Sequence, residues 1–112
     1  MLKYRVPKGM CDYLPDECYE KNHAENDILS VFEANGYERI ETPSIEYHNV
    51  FYYNDVFPIE KAFKMTDTDG SLIILRPDIT MPLARLVSTK MQYSLPLKLC
   101  YLGNSFSLIE DD

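Results

Sequence analysis

Positive charge is scarce in this sequence: 11 lysines and arginines face 18 aspartates and glutamates, a formal net charge of −7. A nucleic-acid surface needs clustered cations to displace counterions from phosphates. Here the cations stand as scattered singles such as Lys61 and Lys64, so no nucleic acid is expected as a partner. Long apolar runs and a secretory signal are both missing, which excludes a membrane span and points to the cytoplasm. Cysteine is sparse, and Cys11, Cys18 and Cys100 form an odd set at no metal-ligand spacing. They read as reduced thiols, with Cys100 a small core residue inside an apolar run. His23 and His48 lie far apart without companion ligands, so no metal is expected. There is also no phosphate-cradling glycine loop, no dinucleotide fingerprint, no nucleophile elbow, no repeat and no linker. No cofactor is expected from these patterns.

What remains is ordinary globular material. The 112 residues, 46% hydrophobic and 26% charged, fit one domain over residues 1–112 with a modest core. Tyr4 to Tyr13 is a loop marked by Pro7, Gly9 and Asp12. Pro15 and the acids Asp16, Glu17 and Glu20 open a helix of about five turns. Cys18, Ala24, Ile28, Leu29, Val31 and Phe32 supply its apolar stripe, and Gly36 stops it as a left-handed residue. Tyr37 to Thr42 alternates with period two up to Pro43, a strand whose polar face is either exposed or met by a second subunit. Ser44 to Asn54, with Tyr47, Phe51, Tyr52 and Tyr53, is expected to form a short helix and a loop. Phe63 to Thr66 and Leu72 to Leu75 flank Asp67-Thr68-Asp69-Gly70, a hairpin with glycine at the positive-φ position. The paired aspartates resemble a calcium loop only superficially, because the other ligands of that motif are absent. After a Ser94-Leu95-Pro96 loop, Leu97 to Leu102 reads as a strand.

The stretch around which the rest is arranged is Leu72 to Thr80. A β-branched apolar strand ends at Arg76-Pro77, and Asp78 and Thr80 then stand at the start of a helix from Ile79 to about Met91. Ile79, Leu83, Leu86 and Val87 share one face of that helix. Pro82 is tolerated in its first turn. Such a strand-to-helix junction can aim a carboxylate and a hydroxyl into a cleft. The plainer reading, which the spacing favours, is that Asp78 or Thr80 caps the helix and Arg76 pairs with a neighbouring acid, since capping explains these residue types without a ligand.

Three stretches together resemble the start of a class II aminoacyl-tRNA synthetase catalytic domain of the histidyl type. Pro7 to Pro15 resembles the opening G-x-x-D-x-L-P segment. The long helix followed by Gly36 to Tyr47 resembles motif 1, and Leu75-Arg76-Pro77-Asp78-Ile79-Thr80 resembles the L-R-P-E-x-T segment that holds the amino acid. Within that superfamily, Leu75 to Arg85 and Leu99 to Phe106 resemble the regulatory subunit of ATP phosphoribosyltransferase, a synthetase paralogue. The resemblance implies an α+β fold: part of a class II synthetase-like antiparallel sheet flanked by helices. It also implies a non-catalytic subunit that supports and regulates the first step of histidine biosynthesis with a short catalytic subunit as partner. A histidine-like pocket would draw on Asp78, Thr80, Arg76 and Glu46. A homodimer would form through the first helix and the following strand, at Phe32, Tyr37, Ile40, Thr42 and Pro43.

One departure bears on chemistry. Where an active class II enzyme places an arginine on the ATP α-phosphate, after Phe106, this sequence has Ser107. A hydroxyl offers one neutral hydrogen bond in place of a charged fork, a loss on the order of 3 kcal/mol in the transition state. Aminoacylation by this polypeptide alone is therefore not expected. The alternatives are the beginning of a true histidyl-tRNA synthetase and a dimerising assembly module that binds no ligand; the chain is either a fragment or a reduced homologue.

Overall fold

Pro15 opens helix α1, Pro15–Ala34. The Glu17 carboxylate reaches back to accept from the Leu14 N–H at 3.4 Å, one half of a capping box. The end is more firmly built. Gly36 takes φ +85°, and the Gly36 and Tyr37 N–H groups donate to the Glu33 and Phe32 carbonyls, each at 3.0 Å. This is a Schellman ending, in which an apolar contact joins the residues flanking the turn. The Phe32 and Tyr37 rings supply it, edge to face at 5.3 Å.

The computed structural model describes residues 4–51, 59–92 and 96–108. Tyr52, Tyr53, Asn54, Ser94, Leu95 and the acidic tail lie outside them. The described strands form two sheets. β1 (Glu38–Arg39) pairs in parallel with β5 (Leu99–Cys100). β4 (Leu72–Leu75) is the centre of an antiparallel sheet between β2 (Ile45–Tyr47) and β3 (Lys64–Thr66). The fold is thus α+β, but its sheet is mixed and not wholly antiparallel. Both strands of the parallel pair are much shorter than their alternating sequences suggest. Among the described strands each has only the other as neighbour, and outside the ladder the Ile40 N–H to Cys100 carbonyl bond at 3.0 Å extends the pairing by one residue.

One expectation needs correction. Ile45–Tyr47 is a strand, not the start of a helix: Ile45 and Tyr47 point to one face and Glu46 to the other, the period of a pleated strand. The helical part shrinks to one 3-10 turn, His48–Val50, which drops Phe51 into the core. The helix after the junction is α2, Thr80–Lys90. Met81 packs against the core and Pro82 is fully buried, while Leu83 and Val87 line an open groove with Thr80, Ala84 and Ser88.

The hairpin between β3 and β4 closes as its turn residues dictate. Gly70 sits at φ +89°, and Asp69 accepts from the Ser71 N–H at 2.9 Å. That backbone hydrogen bond holds the Asp69 carboxyl below its usual range. The Asp67 and Asp69 side chains serve backbone N–H groups of the turn.

The core is small. Phe51, Ala62 and Ile74 form it, with Val50, Ile59 and Met81 packed around them. The α1 stripe stays uncovered: Leu29 is buried, but Ile28, Val31 and Phe32 are 56%, 64% and 41% exposed. The Cα radius of gyration is 17.1 Å, against roughly 13 Å for a compact domain of this length. Ile74, at the centre of this cluster, has no exposed surface. Ile74→Ala is expected to cost about 2–5 kcal/mol, read as a lower urea midpoint with both single-residue neighbours, Ile73 and Leu75, left intact.

Candidate functional site

The strand-to-helix junction is held from three sides by one guanidinium. Pro77 ends β4 by removing a ladder N–H, and the chain turns with Arg76 pointing inward, 6% exposed. Arg76 Nε donates to the Asn104 carbonyl at 2.6 Å, and Nη1 donates to the Thr42 carbonyl at 3.0 Å, the Thr42 hydroxyl at 3.1 Å and the Pro43 carbonyl at 3.4 Å. The backbone adds two more ties: the Arg76 N–H donates to Ser44 at 2.9 Å, and its carbonyl accepts from the Phe106 N–H at 2.9 Å. Arg76 therefore joins the antiparallel sheet to the segments that follow both strands of the parallel pair. Gly103 makes room for it: a Cβ there would land on Arg76 Nη2 and lie 3.3 Å from Cζ.

Asp78 serves the helix. Its Oδ1 accepts from the Thr80 N–H at 2.6 Å and the Met81 N–H at 3.2 Å, satisfying two donors that have no partner within the first helical turn. Thr80 lies on the exposed side of α2, beside the groove lined by Leu83 and Val87. Glu46 is 7% exposed, and its Oε1 accepts from Arg85 Nη2 at 2.9 Å and Nε at 3.2 Å. This pair clamps α2 to β2 and borders a groove of about 560 Å³ with Ile45, Tyr47 and Ile73.

The four residues expected to share one pocket thus occupy different surfaces. Arg76 faces a cleft between the two sheets, Glu46 borders the β2 groove, Thr80 borders the α2 groove, and Asp78 lies at the helix start. Arg85 was missed as a partner for Glu46. Met81 and Arg85 are four apart and share one helix face, and the packing of Met81 against the core is what turns Arg85 towards Glu46.

The residues expected at a dimer interface are likewise spread. Phe32 and Tyr37 lock the end of α1, and Lys98 Nζ sits 5.2 Å over the Tyr37 ring while donating to the Asn35 carbonyl at 2.9 Å. Thr42 gives its carbonyl and hydroxyl to Arg76, Ile40 pairs its N–H with Cys100, and Pro43 remains exposed. Ser107 borders a separate cavity of about 430 Å³ with Lys8, Lys21, Tyr13 and Phe106. Among the described residues no group of His, Cys, Asp and Glu could hold a metal ion, and no helix is long and apolar enough to cross a membrane.

The family model described as histidyl-tRNA synthetase matches residues 9–112. The chain belongs to the histidyl-tRNA synthetase family. Within it, the chain is 40% identical over 112 residues to the ATP phosphoribosyltransferase regulatory subunit of Clostridium novyi, covering 98% of this chain and 27% of that protein. It is 43% identical over 110 residues to that of Ruminiclostridium cellulolyticum, covering 96% of this chain and 26% of that protein. The chain spans about a quarter of the length of these curated relatives. A Bacillus halodurans structure described as an ATP phosphoribosyltransferase regulatory subunit/histidyl-tRNA synthetase superposes with TM-score 0.85 at 31% identity, covering 96% of this chain and 29% of that one. Apo histidyl-tRNA synthetase of S. aureus superposes with TM-score 0.80 at 27% identity, covering 93% and 29%. The class II synthetase-like fold expected from the Leu75–Thr80 and Gly36–Tyr47 stretches is the one found.

In this family member the Glu46–Arg85 clamp is a testable support of the junction. Arg85→Met leaves a buried carboxylate without its cation and is expected to cost about 1–3 kcal/mol, reduced from a fully buried pair because Arg85 is partly solvated. Adding Glu46→Gln should recover part of that loss. A double-mutant cycle in urea measures both.

Proposed function

We propose that this chain is the N-terminal part of a non-catalytic regulatory subunit of ATP phosphoribosyltransferase, acting in the cytoplasm on the first step of histidine biosynthesis. The observation that carries this reading is the 40–43% identity to such subunits over 96–98% of the chain. Ser107 supports it chemically, since a neutral hydroxyl stands where the resemblance to active synthetases calls for a phosphate-gripping arginine. The partner is then a short catalytic subunit. The ligand is then histidine or a close analogue; Asp78, Thr80, Arg76 and Glu46 lie on different surfaces of this chain, so only part of that set would contact it.

A homodimer belongs to the same reading. Ile28 and Val31, with Phe32 beside Tyr37, form an apolar stripe on α1 that stays largely exposed, and the strand that follows carries Tyr37, Ile40, Thr42 and Pro43. Exposed apolar faces of this kind mark contact surfaces. The second reading, the beginning of a histidyl-tRNA synthetase, is favoured by the family model and by the superposition on the S. aureus enzyme.

The deciding experiment uses the full-length protein mixed with the short catalytic subunit. The regulatory reading expects phosphoribosyl transfer to ATP to rise on mixing and to fall when histidine is added. Histidine-dependent pyrophosphate exchange into ATP by the protein alone, without any effect on phosphoribosyl transfer, would establish the synthetase reading instead.

A further inference from the structure

Asn35 and Gly36 form the only asparagine–glycine pair in the sequence, and both are exposed at the end of α1. Such a pair carries a reaction of its own. The backbone nitrogen of the glycine attacks the carbonyl carbon of the asparagine side chain, an approach left open by a residue without a Cβ. The new C–N bond closes a cyclic imide and the C–Nδ2 bond breaks. Nδ2 leaves as ammonia, taking the proton that the peptide nitrogen gives up. Water then opens the imide at either carbonyl and yields aspartate or isoaspartate. Water is the only co-reactant.

The ending of α1 holds both reacting groups off that course. The Gly36 N–H donates to the Glu33 carbonyl at 3.0 Å, so the attacking nitrogen is committed to the helix. Asn35 Nδ2 donates to the Val31 carbonyl at 2.7 Å, which ties the side-chain amide back over the last turn. Three further contacts keep that turn closed: the Tyr37 N–H on the Phe32 carbonyl at 3.0 Å, the Phe32 and Tyr37 rings, and Lys98 Nζ on the Asn35 carbonyl at 2.9 Å. We propose that Asn35 is a modification site, deamidated through the Gly36 nitrogen when the last turn of α1 opens. The ending acts as a gate, because a local opening has to precede the chemistry. The product then works against reclosure. A carboxylate replaces the donor to Val31 and stands at the negative end of the helix dipole, one turn beyond Val31 in the exposed stripe. This inference goes beyond the regulatory reading and does not require it.

The test is peptide mapping by mass spectrometry of the intact chain during incubation at mildly alkaline pH, beside a free peptide of residues 31–39. Asn35 is expected to convert about tenfold more slowly in the folded chain than in the peptide, since opening comes first, and to reach the peptide rate in urea. Tyr37→Ala, which removes the ring contact, should speed conversion severalfold. Asn104, followed by Ser105, is read in the same digest and should not change, because Arg76 holds its segment. If circular dichroism shows Tyr37→Ala unfolded, Lys98→Met removes the tie to the Asn35 carbonyl and carries the same expectation. Equal rates in the folded chain and the peptide, no conversion at Asn35 even in urea, an unchanged rate in the folded variant, or Asn35 and Asn104 accelerating together would overturn the proposal.

Discussion

A buried cation held by backbone carbonyls is the constraint on which this structure depends. Arg76 reaches 28 residues along the chain to Asn104 and 34 to Thr42, so two sheets with no strand in common are tied by one side chain. Hydrogen bonds from a charged donor are worth about 1.5–3 kcal/mol each where they replace water, enough to fix a seam that the two-residue ladder of β1 and β5 could not hold alone. The glycine at 103 and the proline at 77 are local consequences: one admits the guanidinium, the other turns the chain so that Arg76 enters the seam and Asp78 meets the helix. The stretch that resembles an amino-acid-holding segment, Leu75 to Thr80, spans the same junction.

The second constraint is what stays open. The core of Phe51, Ala62 and Ile74 covers one face of the antiparallel sheet, under α2. On the other face Ile45, Tyr47 and Met65 are exposed, and α1 leaves its own stripe in solvent. Burial of apolar area is the main driving force for folding, and here much of it is unrealised. Relatives about four times as long and a contact between copies both provide surfaces that could take it up. The large radius of gyration expresses the same fact in another measure.

Local chemistry was legible from sequence wherever neighbours in the chain decide the structure. Pro15 and Gly36 bounded α1, Asp67 to Gly70 closed the hairpin, Pro77 ended β4, and Cys100 was a small core residue. The family resemblance rested on Leu75–Thr80 and Gly36–Tyr47, and the fold followed. What sequence could not show was long-range. Arg76 was expected to meet an acid or a ligand, yet its partners are carbonyls, which every residue carries and which no residue type announces. Glu46 and Arg85 are 39 apart, and their pairing depends on which side of α2 faces inward. Sequence does not announce that side, because Leu83, Leu86 and Val87 form a more apolar stripe than Met81, Pro82 and Arg85. The strand at Ile45–Tyr47 was obscured because three residues are too few for alternation to stand out among aromatics.

Hydrogen–deuterium exchange on Arg76→Lys reads out whether Arg76 joins the two sheets. Lysine keeps the charge but cannot span three carbonyls with one planar fork. The account predicts that exchange rises together at residues 38–44 and 99–106, on both sides of the seam, while the β3–β4 hairpin keeps its protection. Faster exchange confined to residues next to position 76, with both distant segments unchanged, would contradict it.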